Sequence, residues 1–169
     1  MKNRTVIIGN GGSGKSYLAR RLAQGSKRDV IHLDRIFWVP GGFNEKRSPD
    51  VVARELEEKK LVDSWIVEGV FGELAVRFLE RADRLIWLDL PWEVCRASLL
   101  ARGSESAKQL DPVKAEANFQ QLLAWVADYW TRTDLRSHAG HGRLYADFSG
   151  EKIRFDERAA VDRFIAEER

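Results

Sequence analysis

The chain has one cysteine, one methionine, four prolines and three histidines among 169 residues. A lone Cys95 admits no intrachain disulfide, so a reducing compartment is expected and the cytoplasm is the assigned location. Nothing beside Cys95 would activate it, and a buried structural thiol is expected. With no cysteine pair, His32, His138 and His141 form no recognisable metal-ligand spacing; His138-x-x-His141 is assigned to a polar connection. No apolar run approaches the length of a membrane span, and the stretch behind Lys2 and Arg4 is too short for a secretory signal. No membrane partner is therefore expected. Nor is there an excess of one charge: 28 basic and 26 acidic residues leave a net charge of +2. The two signs are mixed along the chain, so a basic stripe for DNA is missing and direct DNA binding ranks last among the readings.

What is present is more specific. Hydrophobic residues make up 44% of the chain, enough for one compact domain over 1–169 with a real core. Gly9-Asn10-Gly11-Gly12-Ser13-Gly14-Lys15-Ser16 fits G-x-x-x-x-G-K-[ST], the nucleoside-triphosphate P-loop. Its glycines let backbone N–H groups converge on a triphosphate at a helix N-terminus. Gly11, Gly12, Ser13, Gly14, Lys15, Ser16 and Tyr17 are the expected ATP-binding residues, with Lys15 on the outer phosphates and the Ser16 hydroxyl on Mg²⁺. The apolar run Thr5–Ile8 before the loop and the Leu18/Leu22 spacing after it supply the required strand–loop–helix setting, and Gly25 a stop.

Five short apolar runs, Thr5–Ile8, Val30–Leu33, Trp65–Val67, Leu85–Leu88 and Ile153–Phe155, alternate with helical stretches. That alternation predicts a parallel sheet with crossover helices on both faces, an α/β three-layer fold. Ser48-Pro49 opens a helix to about Asp63; Asp111-Pro112 opens one ending near Arg136; Asp156 caps the last. Two loop-like segments, Val39–Asn44 and Gly103–Ala107, follow strand-bearing units, where α/β proteins gather ligands.

Asp34 follows the second run and is expected to bind Mg²⁺ through water or act as base toward an acceptor hydroxyl. Phe37 and Trp38 would stack on a planar ligand or pack in the core. Glu68, ending the third run before Gly69, and Asp89, ending the fourth, are both candidates to serve the metal. Arg77, Arg102, Arg132 and Arg136 are candidate phosphate clamps, 19 of the 28 basic residues being arginine. Arg132 and Arg136 fall one helical turn apart on the expected long helix.

The P-loop, Val30-Ile31-His32-Leu33-Asp34-x-x-Phe37-Trp38-x-Pro40, Trp65-Ile66-Val67-Glu68-Gly69 and Leu85-Ile86-Trp87-Leu88-Asp89-x-Pro91 occur in that order. Over nearly its whole length the chain resembles the adenylate-kinase-related P-loop proteins labelled DNA topology modulation proteins. The resemblance implies a nucleoside-monophosphate-kinase-like fold with strand order 2-3-1-4-5. It implies Glu68 rather than Asp89 beside the P-loop strand, with Ser16, Asp34 and Glu68 at the metal. It also implies an acceptor site at Asp34, Phe37, Trp38, Glu68, Gly69 and Arg77, and a short lid near 103–111 served by Arg102, Arg132 and Arg136. Adenylate kinases carry Asp-Gly-Phe-Pro-Arg where this chain has Glu68-Gly69-Val70-Phe71-Gly72, so the acceptor is left open.

Two functions follow. The first is a P-loop phosphotransferase moving the γ-phosphate of Mg·ATP to a nucleotide or other small-molecule acceptor, with Lys15, Asp34, Glu68, Arg102, Arg132 and Arg136 as catalytic groups. The second is a nucleotide-dependent switch or slow ATPase acting through a protein or DNA partner.

Overall fold

A computed structural model describes residues 3–41, 45–104 and 111–168. The elements in order are β1 (Arg4–Gly9), α1 (Lys15–Ala23), β2 (Asp29–His32), α2 (Leu33–Phe37), α3 (Pro49–Lys60), β3 (Trp65–Gly69), α4 (Gly72–Leu79), β4 (Arg84–Leu88), α5 (Trp92–Arg102), α6 (Pro112–Ala127), a 3-10 turn (Asp128–Trp130), α7 (His138–Asp147), β5 (Glu151–Phe155) and α8 (Arg158–Glu167). The strands form one parallel sheet in the order β2-β3-β1-β4-β5, as expected.

Side chains alternate across a strand, so each central strand feeds two cores. Val6 and Ile8 join Val67, Leu85 and Trp87 against α3, α4 and α7, where Leu56, Phe78 and Leu144 fill the layer. Ile7, Ile66 and Ile86 face the other way onto Leu18 and Leu22 of α1 and Val161 and Ile165 of α8. This two-sided burial is why the strands read as unbroken apolar runs. A third cluster, Leu99 with Phe119 and Val126, joins α5 to α6. No described helix is long and apolar enough to cross a membrane.

The helix expected to reach Arg136 stops at Ala127. Asp111 caps its start as expected, accepting from the Lys114 backbone N–H at 2.9 Å. Its end is set by tertiary structure. Tyr129, fully buried, meets the Trp87 indole N–H at 3.1 Å and His141 Nδ1 at 2.7 Å. Ser137 then caps a separate helix, α7, accepting from Gly140 N–H at 3.1 Å. Arg132 and Arg136 thus lie in the connection between helices, and their one-turn spacing does not exist. His138 and His141 sit on α7, not in a polar connection, and His141 is 0% exposed. The second strand ends at His32, so Asp34 lies in the first turn of α2. Glu157, rather than Asp156, precedes α8, without a side-chain cap.

Candidate functional site

The sequence between β1 and α1 closes into a loop held from behind by two helices. Gly12 and Gly14 have φ of 75° and 92°, a region that favours glycine. A Cβ on Gly12 would lie 2.3 Å from the Cys95 carbonyl oxygen of α5, and one on Gly11 2.7 Å from Val126 Cγ2 of α6. The Asn10 side chain ties the loop to α6 as well. Its Oδ1 accepts from Gly11 N–H at 2.8 Å, and its Nδ2 donates to the Val126 carbonyl at 3.0 Å. The Asn10 carbonyl in turn accepts from Ser13 Oγ at 2.8 Å and Lys15 Nζ at 2.7 Å. Burial lowers the Lys15 pKa, opposed by the negative charge of Glu68. Cys95 is buried, as expected, and its thiol is pushed up to about 11 chiefly by that burial.

Parallel register brings the carboxylates in. Glu68 of β3 pairs with Ile7 on one side and His32 on the other. Glu68 is 4% exposed, and its Oε1 accepts from Ser16 Oγ at 2.9 Å and lies 2.5 Å from His32 Nδ1. Burial alone would raise its carboxyl, but hydrogen bonding from His32 and the charge of Lys15 outweigh it and hold the pKa below the usual carboxylate value. Asp34 is pushed up, first by burial and then by the charge of Glu68. Asp89, the other metal candidate, is engaged by His138 Nε2 at 3.1 Å and Arg154 Nη2 at 2.5 Å.

A cleft of about 1270 Å³ opens over this floor. Gly12, Gly14, Lys15, Ser16, Tyr17, His32, Asp34, Trp38, Arg102 and Arg158 contribute to its wall. The structure thus brings most of the expected ATP and metal residues together. It separates others. Arg77 lies outside the described cleft wall and bonds Glu57 at 3.2 Å. Arg132 is outside it too, stacked 4.0 Å from the Trp125 ring and bonded to Asp134. Arg136 covers the Phe37 and Phe71 rings at 4.7 and 4.6 Å and donates to Glu73 at 2.6 Å. Phe37 packs 4.6 Å from Phe71 at the edge of the core, and of the two aromatics Phe37 and Trp38 it is Trp38 that contributes to the cleft wall. Gly69 is buried under α2, where a Cβ would come 2.8 Å from Leu33 Cβ. Of the expected lid, residues 105–110 lie outside the described residues, as do 42–44 of the other loop.

Sequence reasoning set His32 aside as a metal ligand, whereas it lies with Asp34 and Glu68, and it passed over Arg158. The first was legible: His32 and Asp34 stand two apart at the exit of a strand. Arg158 had no local signal, because it reaches the loop from the β5–α8 junction, where a Cβ on Gly14 would meet its Nη1 at 2.6 Å.

No family model and no curated protein matches the chain. Solved structures do. A sugar kinase from Janibacter sp. superposes with a TM-score of 0.54 at 15% identity, covering 99% of this chain and 92% of the other. Shikimate kinase from Acinetobacter baumannii, in complex with shikimate, gives 0.52 at 16% identity over 98% and 90%. A gluconokinase from Sinorhizobium meliloti gives 0.50 at 14% identity over 99% and 89%. The chain has the fold of these P-loop kinases.

Proposed function

We propose that this protein is an ATP-dependent phosphotransferase acting on a small hydroxylated acceptor, a nucleotide or a hydroxy acid of the shikimate or gluconate kind. The observation that carries the reading is the contact of Ser16 Oγ with buried Glu68 at 2.9 Å, at the floor of a cleft that also exposes Lys15 and Asp34. It supplies a triphosphate cradle and, a few ångströms away, carboxylates suited to a second substrate. The kinase fold of the three neighbours supports the same reading.

The donor set fits Mg²⁺: the Ser16 hydroxyl and the Glu68 carboxylate are hard oxygen donors 2.9 Å apart, which leaves Asp34 for the acceptor. When bound, the ion supplies neutralisation of charge on the phosphate oxygens. The chain's own residues do the rest. Backbone N–H groups from Gly11 to Ser16 hold the polyphosphate. Lys15 leaves the Asn10 carbonyl for the phosphates, and Arg102 adds a second cation at the mouth. Asp34, whose raised pKa suits a base, takes the acceptor's hydroxyl proton as the new O–P bond forms and the bond from the γ-phosphorus to the bridging oxygen breaks, releasing ADP. Trp38 flanks the acceptor.

Calorimetry with Mg·ATP, followed by labelled ATP against a panel of hydroxy acids and nucleoside monophosphates, tests this. Transfer to a small molecule that falls by about 100-fold or more in Lys15→Ala is expected, the scale of losing one preorganised electrostatic group. Hydrolysis without transfer to any acceptor would support the nucleotide-dependent switch instead. Transfer that survives Lys15→Ala undiminished refutes the site.

A further inference from the structure

We infer that His32, Asp34 and Glu68 form a site for a first-row divalent transition ion such as Co²⁺ or Zn²⁺, one that fills without nucleotide. This goes beyond the phosphotransferase reading and does not need it. One ring nitrogen of His32 and one oxygen each from Asp34 and Glu68 lie within 4.8 Å of one another. Donors bound to one ion at about 2.0–2.2 Å sit roughly 3 to 4 Å apart. Adjustments of about 1 Å or less, opening the 2.5 Å His32–Glu68 contact and closing the widest gap, would therefore place all three on one centre.

The arrangement is supported on both sides. Parallel pairing of β2 with β3 fixes His32 beside Glu68, and α2 begins at once and returns Asp34 to the same spot. Glu68 is nearly inaccessible to solvent, and Asp34 is an ionisable neighbour whose charge it opposes. A cation there relieves that repulsion. Lys15, whose charge opposes that of Glu68, donates to the Asn10 carbonyl at 2.7 Å. The ion takes the place of the proton between His32 Nδ1 and Glu68 Oε1, and the neutral imidazole carries its proton on Nε2. Mg²⁺ is served well by oxygen donors alone, whereas imidazole favours the later first-row ions. The nitrogen therefore sets the preference of this site.

The test uses the whole chain without nucleotide. CoCl₂ is titrated while visible d–d absorption is followed, and Zn²⁺ and Mg²⁺ affinities are measured by calorimetry. Wild type is expected to develop cobalt bands and to bind Zn²⁺ at least 100-fold more tightly than Mg²⁺. His32→Gln and Asp34→Asn, each checked for folding by thermal unfolding, should weaken Zn²⁺ by at least tenfold, and His32→Gln should abolish the bands. Cobalt bands that persist in folded His32→Gln would assign the metal to another histidine, such as His138 beside Asp89, and overturn the inference. So would an absence of bands in wild type. Heat from Mg·ATP with no cobalt binding sinks this inference alone, while cobalt binding without any Mg·ATP heat sinks the kinase reading and leaves this one standing.

Discussion

His141 should make the protein acid-sensitive by a calculable amount. One tautomer satisfies its whole surroundings: Nε2–H donates to the Val70 carbonyl at 2.8 Å, and Nδ1 accepts from the Tyr129 hydroxyl at 2.7 Å. That hydroxyl oxygen accepts in turn from the Trp87 indole at 3.1 Å. Protonating Nδ1 would turn Tyr129's acceptor into a donor inside a closed core. Burial pushes the His141 pKa down to about 3, against the opposing effect of the Val70 carbonyl. In the unfolded chain the ring titrates near its ordinary 6.5. Because the folded pKa is the lower one, the unfolded state binds the extra proton first. Stability is complete above about pH 6.5 and drains away as the pH falls toward 3. Between pH 7 and pH 5 this one residue should remove about 2 kcal/mol. Urea unfolding at those two pH values, in wild type and in His141→Gln, isolates the effect, since every other titrating group is common to both. Wild type should lose about 2 kcal/mol more than the variant over that interval. Equal losses would refute the assignment of a neutral, fully buried imidazole on α7.

The other predictions concern the loop and its partner. Gly12→Ala combines an unfavourable φ of 75° with a Cβ 2.3 Å from the Cys95 carbonyl. It should lower the unfolding temperature and abolish the calorimetric signal for Mg·ATP; unchanged binding would mean that the loop does not depend on its packing against α5. Glu68→Gln keeps an oxygen for Ser16 but removes the charge. ATP turnover should fall by about 100-fold while urea unfolding at pH 7 stays cooperative, and undiminished turnover would remove Glu68 from the site.

Much of the architecture was legible because its causes are local. Thr5–Ile8, Trp65–Val67 and Leu85–Leu88 are apolar on consecutive positions because both faces of a parallel strand are buried, and that pattern needs no knowledge of partners. The P-loop was equally plain, since its glycines are demanded by backbone conformation at Gly12 and Gly14. The end of α6 was not legible. Nothing between Ala127 and Arg136 breaks a helix by composition; Tyr129 ends it by entering the core to meet Trp87 and His141, which are distant in sequence. The four arginines show the same limit. A guanidinium beside a phosphate and one stacked on an aromatic ring look alike in sequence, yet Arg102 reaches the cleft while Arg132 and Arg136 settle on Trp125 and on Phe37 with Phe71.

Residue order alone therefore determined the strand–helix alternation, the glycine-rich loop and the candidate carboxylates at 34, 68 and 89, because each depends on neighbours within a few positions. Only tertiary structure decided which carboxylate Ser16 meets, that His32 shares its oxygen, and which arginines face the cleft. Those outcomes rest on strand register and on contacts between segments tens of residues apart, and such contacts leave no periodicity in the chain to read.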